Sequence, residues 1–192
     1  PFLAFAARRL APWRLLFLPA WIAMMLGYRA GLYDRTTLKT AGMRLMLGRA
    51  AQGPLDTVGQ EFAERHLASA GWIANVIAMV EEDRAQGAQL IVATAAFEFY
   101  AKAFAERLDI PHVIATQWNG SAIPGANCYG AEKARRVSEW LERHGIDGEM
   151  RFVSDSFADA PLLDRADDAV FVTASPAKAK RAQARGWRVI AP

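Results

Sequence analysis

A chain of 192 residues is long enough to bury one sizeable core, or a core with a small companion. Its apolar fraction of 53%, with six Trp and ten Phe, excludes disorder, and 23 basic residues dispersed among 20 acidic ones form no cationic block that would point to nucleic acid. The single cysteine, Cys128, excludes an internal disulfide, and no Cys/His cluster has zinc-ligand spacing, so the expected compartment is the cytoplasm.

The chain opens at Pro1 directly in a helical pattern, Phe2, Phe5, Ala6 and Leu10, which raises the expectation that a further segment precedes it. Residues 15–28 (LLFLPAWIAMMLGY) are nearly all apolar, yet fall short of the roughly 20 residues a membrane-crossing helix needs. Arg8, Arg9 and Arg14 precede this run and Arg29 follows it, which suits an interfacial helix as well as a buried one. Apolar runs of this length are most often core helices, so burial or a mixed role is expected ahead of peripheral membrane contact through residues 13–29 at the inner face of the membrane. No small-residue cleavage site follows, which argues against a secretory signal. Leu38, Met43, Leu45 and Met46 continue the helical period. Gly53-Pro54 marks a break, Asp56 or Thr57 can cap a helix with Val58, Phe62, Arg65 and Leu67 on one face, and residues 72–80 extend the helical region. Residues 1–85 are therefore expected to be helical.

From Gln89 the pattern changes to short β-like runs separated by amphipathic helices, as in a parallel sheet with helical crossovers. Strands are expected at 89–94, 112–116, 150–154, 169–173 and 187–190. A helix with Phe97, Tyr100, Phe104 and Leu108 on one face separates the first two. A second, with Ala134, Val137 and Leu141 inward, stops near Gly145. Residues 120–130, with Pro124, Gly125 and Asn127, read as a loop or hairpin. Residues 86–192 are thus expected to be α/β.

Ligands of open α/β sheets bind beyond the carboxyl ends of the strands, and three such ends carry useful chemistry. Thr94 ends the first strand before Ala95-Ala96, where a hydroxyl and nearby helix-start amides can hold a phosphoryl oxygen; the alternative is that Thr94 only caps the helix. Lys133, three residues after Gly130, can act as a compact charge over a phosphate, or be one more solvated lysine. Asp155 and Asp159 follow an apolar strand at a spacing that suits Mg2+, with the second acid free to pair with the lysine instead. The alternative there is an acidic turn capped by Ser154 or Asp155.

Strand-Thr94-helix, then Gly130-x-x-Lys133, then strand-Ser154-Asp155-x-x-x-Asp159 resembles the second to fourth motifs of the haloacid dehalogenase superfamily, in its phosphoserine-phosphatase-like branch. The resemblance implies a Mg2+-dependent phosphatase with a Rossmann-like parallel sheet, residues 86–192, and an all-helical cap, residues 1–85. By position it implies that Thr94, Ala95 and Lys133 bind the phosphoryl group, Asp155 binds Mg2+, and Asp159 supports Lys133, whose removal should slow turnover with the fold intact. Phe2-Leu3 through Arg8-Arg9, then Leu15-Leu16-x-Leu18-Pro19, is similar to the bacterial phosphatidylglycerophosphatase C group, which implies a lipid phosphate or a small phosphometabolite as substrate. Two departures stand out. Ala95-Ala96 and Ala158 replace residues common in phosphoserine phosphatases, and the Asp-x-Asp-x-Thr motif of the nucleophile is absent from these 192 residues. The resemblance places that motif before Pro1 on the central strand. The chain by itself is therefore expected to be inactive and its sheet to lack a central strand, the alternative function being a non-catalytic phosphate-binding scaffold.

Overall fold

A computed structural model describes residues 2–192, which form two compact units interleaved along the chain: 2–69, 96–109 and 115–127 in the first, 70–95, 110–114 and 128–192 in the second. Helices come first, as the periodicity predicts. α1 (Phe2–Leu10), a 3-10 segment (Pro12–Phe17), α2 (Leu18–Arg29), α3 (Arg35–Leu47), a second 3-10 segment (Gly48–Gln52), α4 (Asp56–Ala70) and α5 (Ala74–Ala85) precede the first strand.

In the first unit, α3 starts where the Asp34 carboxylate accepts the backbone N–H of Thr37 at 2.7 Å, meeting a donor that the first turn leaves unpaired. Phe2, Ala6 and Ala7 of α1 pack with Met43, Met46 and Leu47 of α3, positions that fall on one face of each helix. Phe2 also stacks on Tyr100 of α6 (Glu98–Glu106) at 4.6 Å and meets Phe62 edge-on at 5.3 Å.

The 15–28 segment departs from the expectation of burial: no residue of Pro12–Phe17 or of α2 is buried. The reason is geometric. α2 is apolar on every side, but only its Trp21 side meets α3, where the ring covers Gly42 so closely that a Cβ there would lie 2.6 Å from it. On the opposite side Leu18, Ile22, Met25 and Leu26 are exposed, with no described residue of this unit covering them.

β1 (Ile91–Phe97) and β2 (His112–Thr116), whose first residues belong to the second unit and whose last belong to the first, pair with each other, while in the second unit β3 (Arg151–Ser154), β4 (Asp168–Val172) and β5 (Arg188–Ile190) form a separate parallel sheet. Its register sets Val153 opposite Val170 and Phe171 opposite Val189. α7 (Ala131–His144) ends at Gly145; a 3-10 turn (Phe157–Asp159) runs into the short α8 (Ala160–Leu163), and α9 (Pro176–Gln183) joins β4 to β5. Phe171 is fully buried among Leu163, Ala182 and Trp187. Arg151 ties α5 to the sheet through Asp83 and Asp168, each at 2.6 Å. A side-chain hydrogen bond from Arg188, joined by one from Arg151, holds the Asp168 carboxyl below the usual carboxylate range against the opposing effect of burial.

One helix covers strands of both sheets. Ala134 and Val137 of α7, with Leu162, pack against Ile91, Ala93, Ile114, Met150 and Phe152. Yet β1 and β3 are not hydrogen-bonded neighbours. Both are half-buried along nearly their whole length, whereas Val170, Phe171 and Val172 of β4 are buried.

Candidate active site

Lys133 lies in the first turn of α7, which starts after Gly130. Gly130 has φ 57°, a left-handed value that favours glycine, and a Cβ there would stand 3.5 Å from the carbonyl oxygen of Ala158. The helix start and the 156–159 turn therefore run close together. Across this contact Lys133 Nζ lies 2.7 Å from Asp159 Oδ1, with both side chains only 7% exposed. The Ser154 hydroxyl donates to the other carboxylate oxygen at 2.7 Å and accepts the backbone N–H of Ser156 at 3.1 Å. Both oxygens of Asp159 are thus engaged. An ammonium has three donors, and Asp159 takes one of them. In a site this dry the pair fixes the position of a cation that water would otherwise leave mobile.

The cap of the turn after β3 is neither Ser154 nor Asp155. The Ser156 hydroxyl fills that role by accepting the Ala158 N–H at 3.3 Å. Asp155 is exposed, immediately past the carboxyl end of β3. The surroundings of Thr94 and Ala95 differ from expectation, because β1 runs on to Phe97 and it is Phe97 that stands at the N-terminus of α6. Thr94 therefore does not cap that helix, and Ala95 is a half-buried strand residue rather than a helix start. The apolar Ala95-Ala96-Phe97 simply extends the strand pattern.

Beside Lys133, the Glu132 carboxyl is held down at about 2, first by the hydrogen bond from Arg135, which outweighs burial, and then by that from Arg136. Nε atoms of the two arginines lie 2.8 Å and 2.7 Å from its oxygens. Sequence reasoning missed the Ser154 contact to Asp159. It also missed a buried polar cluster in the first unit: Asn127 Oδ1 accepts from Thr116 Oγ1 and from Lys39 Nζ, each at 2.8 Å. Asn127 is 4% exposed and its Nδ2 is a buried donor without a hydrogen-bond partner among the described residues. The sequence marked Asn127 only as a turn residue.

The profile of the haloacid dehalogenase-like hydrolases matches residues 1–164, a span that includes Thr94, Ala95, Lys133, Asp155 and Asp159. The chain belongs to the haloacid dehalogenase-like hydrolase family. Its α/β fold is that family's fold. Among solved structures it is similar to a protein of unknown function from Bordetella pertussis Tohama I, at 25% identity and a TM-score of 0.77, over 97% of this chain and 87% of that one. It is also similar in fold to a HAD family hydrolase from Salmonella enterica subsp. enterica serovar Typhi, at 14% identity and a TM-score of 0.65. That likeness spans 99% of this chain and 62% of the other. No curated protein matches the chain.

Proposed function

We propose that this haloacid dehalogenase-like hydrolase is a Mg2+-dependent phosphomonoesterase that works through an aspartyl phosphate. The observation that carries the reading is the buried Lys133–Asp159 pair, braced by Ser154 at the carboxyl end of β3. Phosphoryl transfer is catalysed mainly by position and charge, and a lysine fixed by a counter-charge behind it needs no rearrangement when charge develops on the phosphate. In this reading Thr94, Ala95 and Lys133 hold the phosphoryl oxygens and Asp159 holds Lys133.

In this reading the nucleophile is an aspartate on a further strand between β1 and β3, which belong to separate sheets. Its carboxylate oxygen bonds to phosphorus while the ester P–O bond breaks, and the departing alcohol oxygen takes a proton from the second aspartate of the same motif. Water then bonds to phosphorus and gives a proton back to that aspartate, phosphate leaves, and the carboxylate is restored. Mg2+ fits the donor chemistry through Asp155, because it commonly takes one or two protein carboxylates and completes its shell with water and phosphate oxygens. Among the described residues no three His, Cys, Asp or Glu side chains gather to hold a metal, so a second protein ligand falls to the nucleophile's strand. Residues 1–85 serve as the cap that excludes water and selects the substrate, a lipid phosphate or a small phosphometabolite.

The test is a screen of the full gene product against phospholipid, amino-acid and sugar phosphates, with Mg2+ and with a chelator. Mg2+-dependent release of phosphate supports the proposal. Phosphate binding without turnover on any substrate assigns the chain instead to the non-catalytic phosphate-binding class.

A further inference from the structure

We infer that the outward face of α2, with the 3-10 segment before it, docks on an anionic phospholipid surface. A helix apolar on all sides is normally buried. α2 turns Trp21 toward α3, yet Leu18, Ile22, Met25 and Leu26, spaced i, i+4, i+7 and i+8, remain exposed on the other side. Leu26 is 63% exposed, and just upstream Leu16 and Trp13 are 81% and 60% exposed. Exposed aliphatic and aromatic side chains gathered on one face mark an interaction surface rather than scattered surface apolar residues.

Charge selects the occupant. The first fifty residues carry eight Arg and Lys against one acidic residue, Asp34, while the other 142 carry 15 basic against 19 acidic. The chain's whole positive excess therefore lies in the segment that also carries the apolar face. The Arg14 guanidinium sits 4.8 Å from the Trp13 ring centroid and 5.2 Å from that of Phe17, a cation beside aromatics suited to headgroup depth. Arg14, Arg44, Thr36, Thr40 and Met24 line a mostly apolar hollow of about 580 Å³ beside this face, with Arg14 donating to the carbonyl oxygens of Arg44 and Leu45 and Arg44 to that of Ser121. The 12 residues of α2 rise about 18 Å, short of the roughly 30 Å hydrocarbon layer, and no helix among the described residues is long and apolar enough to cross a membrane. The helix therefore lies in the interfacial plane, apolar side down and arginines at the headgroups.

The inference stands apart from the hydrolase reading, because vesicle binding and phosphate release are read separately. Flotation of the chain with phosphatidylcholine vesicles, alone and mixed with phosphatidylglycerol, should give binding to the mixed vesicles that weakens with added salt. Leu16→Glu/Ile22→Glu/Leu26→Glu should abolish it, with circular dichroism unchanged because all three positions are exposed. Arg8→Gln/Arg29→Gln should lower partitioning roughly 25-fold, each basic residue near an anionic surface contributing roughly fivefold. Failure of the wild-type chain to float, flotation of the triple glutamate variant, or equal binding to neutral vesicles would each overturn the inference. A concentration-dependent dimer that the triple variant disperses, without flotation of the wild type, would assign the face to a second copy of the chain instead.

Discussion

Lys133→Met keeps the length of the side chain and removes its charge, leaving the Asp159 carboxylate buried with only the Ser154 hydroxyl on one oxygen. Breaking a buried ion pair from one side costs about 3–5 kcal/mol, because the surviving charge has neither partner nor water. At about 2–4 °C of Tm per kcal/mol for a chain of this size, the melting temperature should fall by about 6–20 °C. Asp159→Leu should cost a similar amount, since it strands the ammonium and takes the acceptor from Ser154. The double variant Lys133→Met/Asp159→Leu removes both charges together, and exchanges of this kind are neutral or stabilising by about 1–4 kcal/mol, so most of the loss should be regained. Urea denaturation of all four proteins, followed by circular dichroism, measures the coupling. This revises the expectation that removing Lys133 leaves the fold intact, because 7% exposure makes the lysine part of the core as well as of the site. In the full gene product the double variant should be stable and yet slower by about 10²–10³-fold, the usual effect of losing one preorganised electrostatic contact. A Lys133→Met protein as stable as wild type would refute the buried-pair argument, and a double variant of undiminished turnover would refute the role of Lys133 in phosphoryl transfer.

Ser154→Ala should cost about 1–3 kcal/mol through the acceptor it leaves unmet on Asp159, read as a lower urea midpoint at unchanged slope. Glu132 titrates at about 2 in the folded protein, below its ordinary 4.5, so its contribution to stability is complete above 4.5 and is lost as pH falls from there through 2. Glu132→Gln should therefore flatten the stability curve in that window relative to wild type, by a small amount because the carboxylate is partly solvated. Asp155→Asn in the full gene product should raise the Mg2+ concentration needed for half-maximal turnover while leaving the melting temperature within about 1–2 °C, since an exposed position contributes little to stability. Hydrogen exchange should be slowest at Val170–Val172 of β4 and faster along β1 and β3; equal protection in all three strands would show that no sheet edge is open.

Period and spacing carried the strand positions well, because β2 to β5 are short apolar runs bounded by turns, and the ladder of β3 to β5 follows from them. The end of β1 was not legible, since Ala95 and Ala96 suit a strand as well as a helix start and only the fold carries the ladder to Phe97. Burial of α2 was misjudged for a different reason. An apolar run shows that a helix avoids water, not that its own chain supplies a second surface to cover it, and α3 covers one side only. At the site, residue order placed Lys133 and Asp159 in complementary roles. Ser154 stayed hidden because its contact depends on the 3-10 turn that carries Asp159 back over the end of β3.

A nucleophile of the kind proposed needs a strand to carry it, and the packing of α7 bears on where such a strand would lie. β1 and β3 both pack beneath α7, so apolar cover already extends across the space between them. Among the described residues β1 pairs with β2 and β3 with β4, and no ladder joins β1 to β3. In the proposed reading one further strand between them would pair with both, and its side chains would enter the apolar layer below α7. If that strand ran parallel to β3, its carboxyl end would fall in line with that of β3, where Ser154 and Asp155 begin the turn leading to Asp159 and Lys133. An aspartate at that end would meet the cation of Lys133 and, in the proposed reading, the carboxylate of Asp155 that would take Mg2+. A strand in that position would carry the proposed nucleophile toward the charge of Lys133, which Asp159 holds in place.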